Sequence, residues 1–141
     1  MPRPWRSVPL LCCALALAAP VAAETALDWS KYAAERVVVV TTTDPDGDVR
    51  TTKAWLAVWD GNGYLRTSGT RWGDNLERNP EIQLQVGAET LALRVRFVRD
   101  EALRSAVKRA FREKYGFADR AINVFRSRHP RILLLESRPA D

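Results

Sequence analysis

The amino-acid sequence predicts an α+β protein, a small antiparallel β-barrel of about six strands with one long helix and one or two short helices. Three observations lead to this prediction. An unbroken run of β-branched residues fills Val37–Thr43. Two later segments, 82–86 and 91–97, alternate apolar and polar residues, which is typical of strands with one face in water. One segment after Asp100 has apolar residues at helical spacing.

Length and composition fit a single ordered domain. The chain has 141 residues, of which 46% are hydrophobic and 28% charged. Domains typically contain about 100–200 residues, and this composition excludes a disordered chain, a coiled coil and a collagen-like repeat. Both cysteines, Cys12 and Cys13, lie in the first 23 residues, so the rest of the chain cannot form a disulfide scaffold.

Residues 1–23 have the pattern of a signal peptide. Arg3 and Arg6 precede an apolar stretch, which ends in a small-residue cleavage signal at Ala23. The apolar stretch holds about a dozen residues, whereas a membrane span needs about 20. We therefore expect cleavage after Ala23, a single barrel domain over 24–141, and export to the periplasm or the medium with no membrane contact afterwards. An uncleaved membrane anchor is the alternative.

The first half of the mature chain is predicted to form strands joined by tight turns. Residues 28–36 place Trp29 and Tyr32 at helical spacing and predict a short helix. Pro45 and Gly47 supply the backbone angles of a hairpin turn. The predicted strands on either side of this turn and of a second turn over 60–63 are Val37–Thr43, Val49–Trp59 and 64–68.

The middle of the chain predicts a loop, a helical turn and a hairpin. Residues 69–73 form the loop, and Asp74 is the predicted N-cap of a short helical turn that ends near Asn79. The strands 82–86 and 91–97 follow, because their apolar residues recur at every second position.

The second predicted strand is apolar on both faces over 55–59. Such a strand must be covered on both sides, and the barrel interior accounts for only one of them. We expect a partner subunit to cover the other side, which predicts a homodimer.

The long helix is predicted to begin after its N-cap Asp100 and to end at Gly116. Basic residues on the side opposite its apolar stripe predict a solvated face; they are Arg104, Lys108, Arg109 and Arg112. A further short helix is predicted over 118–125 and a last strand over Arg131–Ser137.

The sequence lacks the residues of most enzyme classes. One histidine and no cysteine beyond residue 23 exclude the common zinc sites, and no nucleophile elbow, P-loop or Rossmann glycine pattern occurs. We expect no metal site. Asp44, Asp46 and Asp48 fit turn chemistry better than calcium binding or acid–base catalysis. His129 fits a surface loop better than a heme ligand.

The positive charge does not by itself predict a nucleic-acid partner. The formal net charge is +5, and it falls to +3 without Arg3 and Arg6. An exported protein with this small excess does not have the basic surface of a nucleic-acid-binding domain. A small anionic or aromatic ligand is the expected partner.

One series of motifs resembles the split-barrel flavin-binding superfamily, which includes pyridoxamine-phosphate oxidases and deazaflavin-dependent nitroreductases. A turn is followed by Arg50 and an apolar strand, and a later strand ends in Ser68-Gly69. Trp72 and Asn75-Leu76 then precede Asn79-Pro80. The segment 110–116 and the leucine-rich strand after it are similar to a small uncharacterised family within that superfamily. The resemblance covers roughly residues 35–137, nearly the whole predicted domain, and implies the split-barrel fold.

The resemblance also implies a site for FMN or a deazaflavin. Family members hold the cofactor phosphate with arginine, lysine and hydroxyl groups on adjacent strands, and charge-assisted hydrogen bonds suit that role. In this sequence the tryptophan is expected to lie against the cofactor ring and the asparagine to orient the loop or donate to the cofactor. The matching positions are Arg50, Thr52, Lys53, Arg66, Ser68, Gly69, Trp72 and Asn75.

Purely structural roles are the alternative for several of these residues. Thr52 is also a good strand former, Trp72 suits a core, and Asn75 suits the start of a helix. The sequence therefore supports two functions: a flavin- or deazaflavin-dependent oxidoreductase, and a cofactor-free periplasmic module that binds another anionic or aromatic ligand or a protein. A third function that the sequence leaves open is heme binding through His129.

Overall fold

The computed structural model describes residues 26–118 and 130–138. They form six strands, two α-helices and one 3₁₀ helix, as the predicted α+β class requires. The strands are β1 (Val37–Thr43), β2 (Val49–Trp59), β3 (Asn62–Thr67), β4 (Glu81–Val86), β5 (Glu89–Phe97) and β6 (Arg131–Ser137). The 3₁₀ helix is Trp29–Tyr32, and the α-helices are α1 (Arg71–Arg78) and α2 (Glu101–Tyr115).

The six strands close into one antiparallel barrel in the order β1-β2-β3-β6-β5-β4. Two tight turns set the register of the first three strands. Gly47 has a φ of 94° in the β1–β2 turn. Asp60 and Gly61 have φ angles of 47° and 73°. A type I′ hairpin turn requires such positive φ angles at both of its central residues. Because that turn uses just two residues, Asn62 already pairs with Trp59, and β3 begins two residues before its predicted start.

Alternate residues of each strand fill the barrel interior, which confirms the period-two prediction. On β1 the interior residues include Val38 and Val40, and on β4 they are Ile82, Leu84 and Val86. Their neighbours on the same strands are exposed or half-buried. The interior is therefore a packed hydrophobic core rather than a channel.

Short helices close the two ends of the barrel. At one end Trp29 packs so closely on Gly63 that a Cβ atom there would lie 2.5 Å from the indole ring, so only glycine fits. At the other end α1 inserts Trp72 and Leu76 into the core. The predicted helix over 28–36 is reduced to the four-residue 3₁₀ helix.

Helix α1 begins earlier than the sequence predicts. Its N-cap is Thr70, whose hydroxyl accepts a hydrogen bond from the Gly73 amide at 3.3 Å. Asp74 lies inside the first turn, so its predicted role as N-cap is wrong. Thr70 can serve because its hydroxyl also hydrogen-bonds the Thr67 hydroxyl at the end of β3, which fixes the chain where the helix starts.

Helix α2 has the predicted ends and covers the outer side of β2, β3 and β6. The Asp100 carboxylate accepts a hydrogen bond from the Leu103 amide at 2.7 Å, and Gly116 ends the helix with a φ of 55°. The buried face of α2 packs on the barrel to form a second hydrophobic cluster, which includes Ala57, Tyr64, Ile132, Leu134, Val107, Phe111 and Tyr115.

This packing corrects two expectations about α2 and its surroundings. The helix, and not a partner subunit, covers the outer side of β2 at Trp55 and Ala57. Arg104 does not lie on a purely solvated face, because its guanidinium donates to the carbonyls of Val98 and Pro130 at 3.3 and 3.2 Å.

Some predictions fall on residues that the structure does not describe. The signal peptide over 1–23, the short helix over 118–125 beyond Ala118, and His129 lie outside the described ranges. Within residues 26–118 and 130–138, no helix is long and apolar enough to cross a bilayer.

Candidate functional site

The alternation of β2 places the predicted cofactor contacts on two different sides of the strand. Leu56 lies in the barrel core and Ala57 lies beneath α2. Because side chains alternate along a strand, Arg50 and Thr52 lie on the interior side and Lys53 on the outer side. The predicted residues of β2 therefore do not converge on one patch.

Arg50 belongs to a hydrogen-bonded network between the β1–β2 turn and α1. We call it the turn network, and it consists of Thr42, Asp44, Arg50, Asn75 and Arg78. Arg50 donates from Nε and Nη2 to the Asp44 carboxylate at 2.9 and 2.6 Å. Asn75 donates from Nδ2 to Asp44 at 2.6 Å and to the Thr42 hydroxyl at 3.2 Å. Arg78 donates to the Asn75 side-chain oxygen. The Asn75 side chain thus ties α1 to the turn.

The charges of the turn network hold Asp44 in its ionised form. Hydrogen bonds from Arg50 and then Asn75, with the charges of Arg50 and Arg71, lower the pKa of Asp44 well below its usual value. The Asp44 side chain is only 8% exposed, whereas the Arg50 side chain is 33% exposed, so the carboxylate is the more buried partner of this ion pair. Two donor groups of Arg50, Nε and Nη2, are therefore bound to the Asp44 carboxylate.

Trp72 and the loop before it lie at the end of the barrel that α1 closes. The Trp72 side chain is 6% exposed and belongs to the barrel core. Ser68 and Gly69 lie in the bend that joins β3 to α1, and Ser68 is half-buried. Thr52 is half-buried on β2, opposite Val40 of β1. Trp72 therefore acts as a core residue in this fold.

The outer group is part of a second cluster, the outer-face patch, which consists of Arg36, Lys53, Trp55, Arg66 and Tyr115. The rings of Trp55 and Tyr115 stack with their centroids 4.2 Å apart and their planes at 4°. The Arg66 guanidinium lies 6.0 Å from the Trp55 ring centroid, and that of Arg36 lies 4.8 Å from the Tyr115 ring. Lys53 precedes Trp55 by two residues and shares its side of β2.

Hydrogen bonds from two side chains to backbone carbonyls anchor the end of α2 beneath this patch. The Tyr115 hydroxyl lies 2.6 Å from both the Arg36 and the Leu56 carbonyl oxygens. Lys114 donates to the Leu56 carbonyl at 2.8 Å and to the Glu35 carbonyl. Burial raises the pKa of Tyr115 to about 12, and burial together with the charge of Arg36 lowers the pKa of Lys114. The tyrosine is therefore a neutral hydrogen-bond donor at physiological pH.

Sequence reasoning missed several residues of both clusters. In the turn network it gave Asp44 only a turn role and did not select Arg78. In the outer-face patch it did not select Arg36, Trp55 or Tyr115. Tyr115 carries a usable signal, since it follows Phe111 by four residues and continues the buried stripe of α2.

The two clusters differ in what they can bind. The turn network contains its own carboxylate, so its arginines are partly neutralised. The outer-face patch combines three cations with an aromatic plane, which suits a planar ligand that carries an anionic group. Among the described residues no group of three or more histidine, cysteine, aspartate or glutamate side chains is placed to hold a metal ion.

Sequence and structure comparisons identify the class. The six-stranded antiparallel barrel is shared with solved split-barrel proteins, and residues 29–139 match the family model described as pyridoxamine 5′-phosphate oxidase. The chain belongs to the pyridoxamine 5′-phosphate oxidase family, which confirms the resemblance noted from the motifs. No curated protein sequence matches the chain.

Solved structures with this fold come from proteins of different function. The heme storage protein HutZ from Vibrio cholerae is 18% identical, covers 79% of this chain and 88% of its own, and has a TM-score of 0.61. An F420-H2-dependent reductase is 18% identical, covers 72% and 94%, and has a TM-score of 0.55. A domain-swapped dimer is 19% identical, covers 72% and 80%, and has a TM-score of 0.59. At these identities the similarity shows the fold alone.

Proposed function

We propose that this protein binds a flavin or deazaflavin nucleotide at the outer-face patch and uses it for redox chemistry. The observation that carries the proposal is the arrangement of Lys53, Arg66 and Arg36 around the stacked rings of Trp55 and Tyr115. A flavin nucleotide has a planar ring and a phosphate, and this patch offers a partner for each. When bound, the cofactor supplies the redox chemistry, while the protein binds and orients it.

The charge balance of the patch supports an anionic ligand. Lys53 is exposed and forms no ion pair with any residue of the described ranges. The half-buried Arg66 guanidinium also lies 4.8 Å from the Phe111 ring, which holds it at the barrel surface. A cation fixed on aromatic rings needs little reorganisation when an anion binds.

The relatives support the same class of ligand. One solved structure with this fold is an F420-H2-dependent reductase, and F420 is a deazaflavin. Another, HutZ, is a heme storage protein. Deazaflavins and heme are both planar, anionic cofactors, and the outer-face patch has cations and aromatic rings that suit such a group.

The turn network favours a second function, a cofactor-free periplasmic module that binds an anionic or aromatic ligand or a protein. Arg50 and Asn75 were expected to contact a cofactor, but both bind Asp44 instead. Trp72, the residue expected to lie against the cofactor ring, is buried in the core. A barrel in which these positions have structural roles does not depend on them to hold a cofactor.

An absorption spectrum of the full chain, purified from its exported form, tests the first proposal. We expect the visible absorption of an oxidised flavin, or its appearance when FMN or F420 is added. The charge-reversed variant Lys53→Glu should weaken FMN binding more than tenfold, because it replaces an attractive charge with a repulsive one. Arg109→Glu, at an exposed position of α2, is the matched control and should bind as the wild type does.

Three results would separate the alternatives. A heme spectrum in place of a flavin spectrum would assign the patch to heme. A colourless protein that takes up neither FMN nor F420 would support the cofactor-free module. Equal FMN binding by wild type and Lys53→Glu would show that the nucleotide binds away from the outer-face patch.

We also propose that the protein is exported after cleavage at Ala23 and forms a homodimer. The dimer is supported by the domain-swapped dimer among the similar structures and by exposed apolar residues, since Val37 is 49% and Val49 71% exposed. Light scattering of the mature protein should give twice the monomer mass, and a mass spectrum of the exported protein should begin at Glu24. A monomer, or an intact leader, would contradict the respective proposal.

A further inference from the structure

A cavity of about 560 Å³ opens between α1, the end of β5 and the start of α2, and none of its lining residues belongs to the outer-face patch. We call it the Arg99 cavity. Its walls combine apolar and cationic side chains; they include Leu76, Pro80, Phe97, Arg99, Arg104 and Arg131. Cavities that bind small molecules typically measure about 300–1,000 Å³ and are mostly apolar with a few charged groups.

Two of the three arginines are held in place by the protein itself. Arg131 forms ion pairs with Glu77 at 2.8 Å and Asp74 at 3.1 Å, and its guanidinium lies 6.0 Å from the Phe97 ring. Arg104 donates to two backbone carbonyls and forms an ion pair with Glu101 at 3.4 Å. Both guanidinium groups are therefore fixed in position, and the carboxylates of Asp74, Glu77 and Glu101 balance their charges.

The third arginine has no such partner. Arg99 is exposed and forms no ion pair with any residue in 26–118 or 130–138. Since Arg104 and Arg131 are already paired with carboxylates, Arg99 is the arginine of the lining that has no ion pair within the described residues. An anion at the cavity mouth would gain a charge-assisted hydrogen bond from Arg99.

We propose that the Arg99 cavity binds a small organic carboxylate with an apolar body. The carboxylate binds Arg99, and the apolar body packs on Pro80 and Phe97, which are half-buried at the cavity wall. This site shares no residue with the proposed cofactor site. It adds a second ligand, of a different chemical class, to the function proposed above.

The experiment compares octanoate with 1-octanol, which has the same chain and no charge. Each is titrated into the isotope-labelled full chain, and the backbone amide resonances are followed by NMR. We expect octanoate to shift the amides of Val98, Arg99 and Ile132, and 1-octanol to bind at least fivefold more weakly. The variant Arg99→Gln should weaken octanoate binding about five- to tenfold, and Arg99→Lys should largely retain it.

Controls distinguish this site from the cofactor site. Arg109→Gln, at an exposed position of α2, should leave octanoate binding unchanged, and so should Lys53→Glu. FMN should not displace octanoate. The proposal is overturned if octanoate and 1-octanol bind equally, if Arg99→Gln has no effect, or if the shifted amides cluster around Trp55.

Discussion

The turn network and the outer-face patch are both built around arginines on the first three strands, yet they use them in opposite ways. In the turn network, Arg50 is neutralised by the buried Asp44 carboxylate and tied through Asn75 to α1. In the outer-face patch, Arg66 lies on the aromatic rings of Trp55 and Phe111.

The comparison shows that the environment decides the role of an arginine. A guanidinium bound by a carboxylate in two places is a structural connector, and an incoming anion must compete with that carboxylate. A guanidinium held over an aromatic ring is fixed in position while its charge still acts on a ligand. The two clusters therefore predict different responses to mutation: loss of stability for the first, loss of binding for the surface cations of the second.

The largest expected effect is on the packing beneath the outer-face patch. Phe111 is fully buried between α2 and the barrel. Phe111→Ala should lower the free energy of unfolding by about 3–5 kcal/mol, because it removes a large side chain and leaves a cavity. Urea denaturation measures this. Phe117→Ala is the matched control, since Phe117 is 83% exposed and should change stability by less than about 0.5 kcal/mol.

The next effect tests the turn network. Asn75→Ala should cost about 1–3 kcal/mol, because it removes the donor to Asp44 and Thr42 from a side chain that is 1% exposed. Asn62→Ala, at the exposed first residue of β3, provides the comparison in the same urea experiment. Equal stability of the two variants would mean that the turn network does not hold α1 to the barrel.

A smaller effect is expected at the end of α2. Tyr115→Phe keeps the stack on Trp55 but removes the hydroxyl that reaches the Arg36 and Leu56 carbonyls, so we expect a loss of about 1 kcal/mol. Tyr64→Phe serves as the control, because no hydrogen bond from the Tyr64 hydroxyl joins it to the described residues. If the two variants lose the same stability, the hydroxyl of Tyr115 does not anchor the helix.

The smallest effect is a change in pH dependence. The pKa of Asp44 is lowered in the folded protein from its ordinary value of 3.8. Its stabilising contribution is therefore complete above about pH 4 and is lost as the pH falls toward the folded-state pKa. Asp44→Asn should make stability less dependent on pH below about pH 4. Asp48→Asn, in the same turn and exposed, should keep the wild-type acid dependence.

The sequence predicted most of the fold correctly. Three of the strands, Val37–Thr43, Val49–Trp59 and Arg131–Ser137, have their predicted bounds, and α2 begins after Asp100 and ends at Gly116 as expected. These features depend on local chemistry: β-branched runs, turn glycines and a capping carboxylate act within a few residues. The N-cap of α1 was missed because Thr70 gains its position from Thr67, a contact that a cap pattern does not include.

The family resemblance placed Arg50, Lys53 and Arg66 in one candidate site. In the structure Arg50 and Lys53 lie on opposite sides of β2, which motif order alone does not reveal. Tyr115 completes the outer-face patch from α2 and lies 60 residues beyond Trp55 in the chain, so no local pattern connects the two residues.

By itself, the sequence determined the class of fold, the order of its elements and the family, because these follow from hydrophobic periodicity, turn residues and motif order. Only the tertiary structure decided the role of each arginine. That depends on whether a carboxylate or an aromatic ring lies beside each guanidinium, and barrel closure and the docking of α2 bring those partners together from distant parts of the chain.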